Sequence, residues 1–282
     1  MNHDEISFHF KSYVKFIIII LVFLFIIIKL KETNIYREKI SVIIPTFNRG
    51  NLIIKSIKSV LNQTYPNIEV LVVDDGSTDD TEKIIKNLDN NRIKYIKIKK
   101  NIGANHARNV GIMNASGKYI SFQDSDDVYH KDKLEKQYNN LIKEKTDFDF
   151  CKINLHFNEK LNITFPMAKQ ETNLNLQKYE EEMCNGNYIS TQSILVKKSF
   201  IKKYLFDTRF PRLQDYDLAL RMIPNLKVSY TKEILVDLYR EKDSIGNSFN
   251  KYNESLNLLL NKKYNIKCNI ERIYNIFKKE HN

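Results

Sequence analysis

Near its start the chain carries thirteen apolar residues without a break, FIIIILVFLFIII at 16–28. At about 1.5 Å per residue this run covers about 20 Å, short of the ~30 Å hydrocarbon core of a bilayer. Extending it over residues 13–30 lets Lys15 and Lys29 snorkel, and the helix then just spans. Its apolar residues lie all round, unlike those of an amphipathic surface helix. Two rivals stand beside a membrane anchor. A cleaved signal peptide wants a small-residue site that KLKETNIY (29–36) does not offer, and a buried core helix suits the borderline length. Lys29, Lys31, Arg37 and Lys39 follow the segment against Lys11 and Lys15 before it, which places the rest of the chain in the cytosol.

Beyond a charged tether, short apolar runs alternate with helical patterns. ISVIIPTF (40–47), IEVLVVDD (68–75), IKYIKI (93–98), KYISFQD (118–124) and FDFCKINL (148–155) read as strands. Between them, Ile53, Ile54, Ile57, Val60 and Leu61 share one face of a helix over 51–63, and helices follow at 78–88, 104–115 and 131–145. Such alternation predicts an α/β domain with a mainly parallel sheet flanked by helices. From 157 to 187 the pattern dissolves into polar sequence, read as a loop-rich insertion over one end of the sheet. Order returns at YISTQSILV (188–196) and runs to about 240. The domain boundaries expected are an anchor at 1–31, a tether at 32–39, the main domain at 40–240 and a helical C-terminal tail at 241–282, the last carrying Leu256, Leu258, Leu259 and Leu260.

Composition narrows the partners. The chain has 45 Lys and Arg against 34 Asp and Glu, a net charge of +11, which favours anionic partners without choosing among them. The basic residues are dispersed rather than gathered in a stripe with aromatics, so nucleic acid ranks last. Cys151, Cys184 and Cys268 form no C-x-x-C pair, which argues against a disulfide framework and a structural zinc site and points to a reducing compartment. His106, His130 and His156 lack metal-ligand spacing and read as ordinary surface or helix residues.

Candidate chemistry gathers at strand ends. Of seven glycines, Gly50, Gly76, Gly103, Gly111 and Gly117 lie at predicted strand and helix ends, where backbone approaches a ligand or the chain simply turns. Asp74 and Asp75 follow one strand; Asp124, Ser125, Asp126 and Asp127 follow another. Either acidic cluster alone reads best as a helix cap. Two in register at one end of a sheet need a cation or a donor-rich ligand, and Mg²⁺ is commonly held by one or two carboxylates plus a substrate phosphate. A third acidic position, Asp215 in LQDYDLALRM (213–222), opens a helix and reads as a cap or a general base, with Arg221 structural.

SVIIPTFNR (41–49), VVDDGSTDDT (72–81), NIGANHARNVGI (101–112), YISFQDSDD (119–127) and LQDYDLALR (213–221) together resemble a family 2 glycosyltransferase of GT-A fold. The resemblance implies an inverting, metal-assisted transferase that moves one sugar from a nucleotide-diphosphate donor, UDP-linked, to an acceptor hydroxyl of a glycan or glycolipid. It puts Pro45 and Thr46 beside the nucleotide base and Asp75 on the uracil ring. Asp124, Ser125 and Asp126 become the Asp-x-Asp motif, with Asp126 the direct ligand of Mn²⁺ or Mg²⁺ and Asp124 nearer the ribose or the metal's waters. Asp215 becomes the catalytic base, where relatives often carry Glu-Asp and this chain has Gln214-Asp215. Arg240 is a candidate for the diphosphate, although Lys242 and Asp243 stand where relatives often carry His. The absence of Trp and of further membrane spans argues against a processive synthase. The missing G-x-G-x-x-G argues against a dinucleotide oxidoreductase. A catalytically silent domain acting as a membrane-bound scaffold is the competing expectation, motivated by Gln214 and the altered segment near Lys242.

Overall fold

The computed structural model describes residues 14–25, 37–156, 162–165, 187–239 and 249–264. The chain forms two compact units, Met1–Glu38 and Lys39–Asn282. In the first, residues 14–25 form helix α1, exposed throughout, with Phe16, Phe23 and Phe25 among its side chains. At 1.5 Å per residue it is about 18 Å long. Among the described residues no helix is long and apolar enough to cross a membrane. The remainder of the 13–30 segment, and most of the tether, lie outside the described residues.

The second unit is an α/β domain. Its first half follows the predicted alternation closely: β1 (Ile40–Thr46), α2 (Gly50–Leu61), β2 (Ile68–Asp74), α3 (Thr81–Lys86), β3 (Ile93–Lys97), α4 (Ala104–Asn114) and β4 (Tyr119–Phe122). Next come β5 (Val128–Tyr129), α5 (Lys133–Glu144), β6 (Phe148–His156), β7 (Asn162–Phe165), β8 (Ile194–Lys197), α6 (Lys198–Tyr204), α7 (Gln214–Met222), β9 (Val228–Tyr239) and α8 (Phe249–Asn261). Strand order is β3-β2-β1-β4-β8-β6-β9-β5, with β7 paired to β6.

The sheet is mixed, which corrects the mainly parallel expectation. Pairs β1–β2, β1–β4, β2–β3 and β6–β9 are parallel, whereas β4–β8, β6–β8, β6–β7 and β5–β9 are antiparallel. The directions explain the misreading. β8 opposes both β4 and β6, so β6 runs with β4 and the crossover through α5 skips one place that β8 later fills. Alternating strands and helices reveal crossovers, but they are silent about a strand inserted afterwards. The 157–187 insertion likewise contains a strand, β7, too short for a periodic signal.

Burial follows from the pleat. β1 is buried at every position because side chains alternate between two covered faces. Ile43 faces a cluster with Leu71, Ile112 and Phe122, while Val42 and Ile44 face Ile53, Ile57 and Val60 of α2. Gly111 lets α4 close on β1: a Cβ there would stand 2.4 Å from Ile43 Cγ2. That glycine serves helix-to-sheet packing rather than a ligand. In α8, Tyr252, Leu256 and Leu259 are buried in the same cluster as Ile43, so this helix packs one face into the core.

Candidate active site

A cleft of about 1000 Å³ opens beyond the carboxyl ends of β1 and β2, and Pro45, Thr46, Asp75, Asp124, Ser125, Asp126 and Asp215 all line it. Residues up to 170 positions apart in sequence therefore meet in one place. In open α/β sheets this is where ligands bind.

At one end, Pro45 and Thr46 close β1, and Thr46 accepts the Asp75 amide at its carbonyl, 2.8 Å. Thr46 is buried, yet its hydroxyl has no hydrogen-bond partner among the described residues. Asp75 accepts the amides of Ile102 (3.1 Å) and Gly103 (2.6 Å). Gly76 makes this closure possible, since its φ is +83° and a Cβ would sit 2.8 Å from the Lys100 backbone. The neighbouring Asp74 is structural: it caps the turn through the Ser77 amide (2.7 Å) and accepts the Tyr95 hydroxyl.

The turn after β4 carries the second acidic group. Asp124 accepts Arg108 Nη2 on Oδ1 and Gln192 Nε2 on Oδ2, each at 2.7 Å. Asp127 accepts the same Gln192 nitrogen at 2.7 Å and the Tyr239 amide at 3.0 Å. Burial, reinforced by the charges of Asp124 and Asp126, holds the Asp127 carboxyl well above the usual carboxylate range. Asp126 is half-buried and lines the cleft, and Ser125 is buried beside it.

Among the described residues no three His, Cys, Asp or Glu side chains converge as a metal set. The donor chemistry nevertheless fits a hard divalent ion. Oxygen donors crowd one short turn, and the repulsion among them, which adds to burial in raising the Asp127 carboxyl, is what a cation relieves. Asp124, with a donor on each oxygen, suits an indirect place, and Asp126 lines the cleft beside it.

At the far end, Asp215 opens α7. Leu213, just before it, holds a left-handed φ of +56°, a strained conformation for a leucine, and its carbonyl accepts the Asp217 amide at 2.9 Å. Asp215 Oδ1 accepts Asn187 Nδ2 (3.1 Å) and the Tyr216 amide (2.8 Å). Burial raises its carboxyl above the usual range, partly offset by the Tyr216 amide and the nearby Arg108 charge. Arg221 is structural as expected, donating to Asp217 and to the carbonyls of Tyr204 and Leu205.

Sequence reading missed Gln192, Asn187 and Tyr239. The available signal was the buried polar triplet Thr191-Gln192-Ser193 between Ile189 and Ile194. It also missed that His130 and His156 are not independent: their Nε2 atoms stand 2.9 and 2.8 Å from the two oxygens of Asp237. Arg240, Lys242 and Asp243 lie outside the described residues.

Comparison with known proteins places this geometry. The family model described as Glycosyl transferase family 2 matches residues 41–205, more than half the chain. An Escherichia coli protein, named UDP-Glc:alpha-D-GlcNAc-diphosphoundecaprenol beta-1,3-glucosyltransferase WfaP, is 31% identical over 77% of this chain and 82% of its own length. The structure of Staphylococcus aureus TarS 1-349 in complex with UDP-GlcNAc superposes with a TM-score of 0.65 over 79% of this chain and 66% of that one, at 22% identity. A mannosyltransferase from Pyrobaculum calidifontis, in complex with GDP-Man and Mn²⁺, superposes at 0.63 over 88% and 70%, with 17% identity. At those identities the two structures establish the GT-A-type fold alone. Against an uncharacterized glycosyltransferase of Rickettsia conorii, identity is 52% over 124 residues, and the chain spans only 20% of that protein's length. By the extent of the family match and the identity shared along most of its length, this chain belongs to glycosyl transferase family 2.

Proposed function

We propose that the chain is an inverting glycosyltransferase that moves one sugar from a UDP-sugar to an acceptor hydroxyl of a glycan or glycolipid. The observation that carries this reading is the shared cleft: the β1 and β2 ends, the Asp124–Asp127 turn and Asp215 all line it. Pro45, Thr46 and Asp75 border the nucleotide base, and the amides of Ile102 and Gly103 keep Asp75 fixed there. Asp126 would hold Mn²⁺ or Mg²⁺, with Asp124 beside it; when bound, the ion neutralises charge on the departing diphosphate. The TarS complex and the Mn²⁺-containing mannosyltransferase support such a donor and ion.

Asp215 takes the acceptor hydroxyl's proton as that oxygen attacks the anomeric carbon and the bond to the diphosphate oxygen breaks. Among the described residues, Asn187 and the Tyr216 amide both donate to Oδ1, which leaves Oδ2 as the oxygen proposed to receive the proton. A carboxyl raised by burial is a better proton acceptor than an exposed one. Attack from the face opposite the leaving group inverts the configuration, which suits a base and an acidic turn contributed by distant parts of the chain. Residues 13–30 would anchor the protein, which the exposed apolar side chains of α1 support, and the basic residues that follow them favour the cytosolic side for the catalytic unit.

Full-length protein in detergent, given UDP-glucose or UDP-N-acetylglucosamine with Mn²⁺, is expected to release UDP, slowly with water as acceptor. A folded protein that releases no nucleotide from any donor would favour the silent scaffold instead.

A further inference from the structure

We propose that the segment Asn187–Gln192 is a positioning bridge between the two halves of the reaction, with Gln192 setting the donor turn and Asn187 the base. The inference rests on the transferase reading above. Gln192 is 6% exposed, and its single amide nitrogen donates to Asp124 Oδ2 and Asp127 Oδ2, both at 2.7 Å. An amide nitrogen has two hydrogens, so the pair of bonds spends it fully. The orientation follows from charge, because the reversed amide would aim its oxygen at the Asp124 carboxylate. Gln192 Oε1 is occupied in turn by the Ser190 hydroxyl.

With Arg108 Nη2 on Asp124 Oδ1 and the Tyr239 amide on Asp127 Oδ1, all four oxygens of these two aspartates have a donor. Arg108 is itself set by Asn105 Oδ1 at 3.0 Å. Asp126 lies between these two aspartates in sequence and lines the cleft, so a lattice that fixes Asp124 and Asp127 also fixes the turn that carries Asp126. Five residues earlier, Asn187 Nδ2 donates to Asp215 Oδ1 at 3.1 Å, and its own Oδ1 accepts the Ile189 amide at 3.1 Å. The 3₁₀ turn Thr191–Ser193 ties the segment into β8, held by the Ser193 hydroxyl on the Ser190 carbonyl at 2.7 Å. The strand inserted between β4 and β6 thus delivers one short segment to both the acidic turn and the base. Polar groups that orient a metal's ligands typically account for 10–100-fold in affinity.

The test separates the two ends of the bridge. UDP is held constant, Mn²⁺ is titrated, and thermal unfolding of the full-length protein in detergent gives the Mn²⁺ midpoint. Gln192→Met, which keeps the side chain's length and removes its donors, is expected to raise that midpoint at least about tenfold. Asn187→Ala is expected to keep the wild-type midpoint while lowering kcat. Gln192→Asn, one methylene shorter and unable to span both carboxylates, carries the same test with a smaller rise should Gln192→Met not fold. A wild-type midpoint in a folded Gln192 variant, or equal midpoint shifts in both classes, overturns the bridge alone. A wild-type protein that shows no Mn²⁺-dependent response to UDP overturns the donor-site reading beneath it as well.

Discussion

Asp215→Asn is expected to lower kcat for sugar transfer by about 10²–10⁴-fold while leaving UDP binding unchanged. Asparagine fills the same space and can still accept the Tyr216 amide on Oδ1, so the start of α7 is kept. What is lost is the ability to take a proton. The pH profile is the more telling readout. Burial raises the Asp215 carboxyl, so the rate should fall with acid through a limb above the ordinary carboxylate range. The residual rate of the asparagine variant should lack that limb. Stability gives the opposite sign. A carboxyl raised in the folded state contributes stability that is present at low pH and lost as pH rises through its folded value. At pH 7 the variant should therefore unfold no earlier than wild type, which separates a group kept for chemistry from one kept for the fold. Steady-state kinetics from pH 4 to 9 with thermal unfolding of both proteins is the check. An unchanged kcat would remove Asp215 from the mechanism.

Asp217→Ala, two residues further along α7, is expected to do the reverse and cost about 3–5 kcal/mol of stability. Asp217 is fully buried and accepts Arg221 Nε (2.9 Å) and Nη2 (2.6 Å), Lys262 Nζ (2.5 Å) and the Tyr264 hydroxyl (2.8 Å). Removing the carboxylate takes away the anion that Arg221 and Lys262 share and leaves Lys262 with Asp207 alone among the described residues. The same cluster reaches the loop before α7. Lys262 also pairs with Asp207 at 2.9 Å, and Arg209 clasps Asp207 through two bonds, which together hold that carboxyl well below its usual range. Residues 262–264 thus clasp both the helix that carries the base and the loop that lines the cleft. At about 2–4 °C per kcal/mol for a domain of this size, the unfolding midpoint should drop by about 6–20 °C. A loss below about 1 kcal/mol in urea unfolding would mean the clasp is not holding α7.

These two aspartates show what sequence could and could not reveal. The apolar runs of β1 and β2 and the helical face of α2 are local patterns, readable because both faces of the strands are covered and α2 is amphipathic. The acidic turns were legible for a related reason: they directly follow the apolar runs of β2 and β4. The role of Asp217 was not legible, because Lys262 and Tyr264, which donate to it, lie some 45 residues away with no periodicity to link them. Gln192 was hidden inside YISTQSILV, where the strand begins only at Ile194 and the polar residues before it bond across to a different part of the sheet. β5 spans two residues and β7 four, each defined by its ladder rather than its composition.

The central claim is that the ends of β1 and β2 and the Asp124–Asp127 turn form one nucleotide-and-cation site. Calorimetric titration of UDP into the full-length protein, in Mn²⁺ and again in EDTA, tests it most directly. One UDP is expected to bind per chain in Mn²⁺, with binding weakened at least about tenfold by EDTA and equally by Asp126→Ala with metal present. Tight binding that ignores EDTA and survives in both Asp126→Ala and Asp75→Ala, or no binding at all by the folded protein, would contradict it.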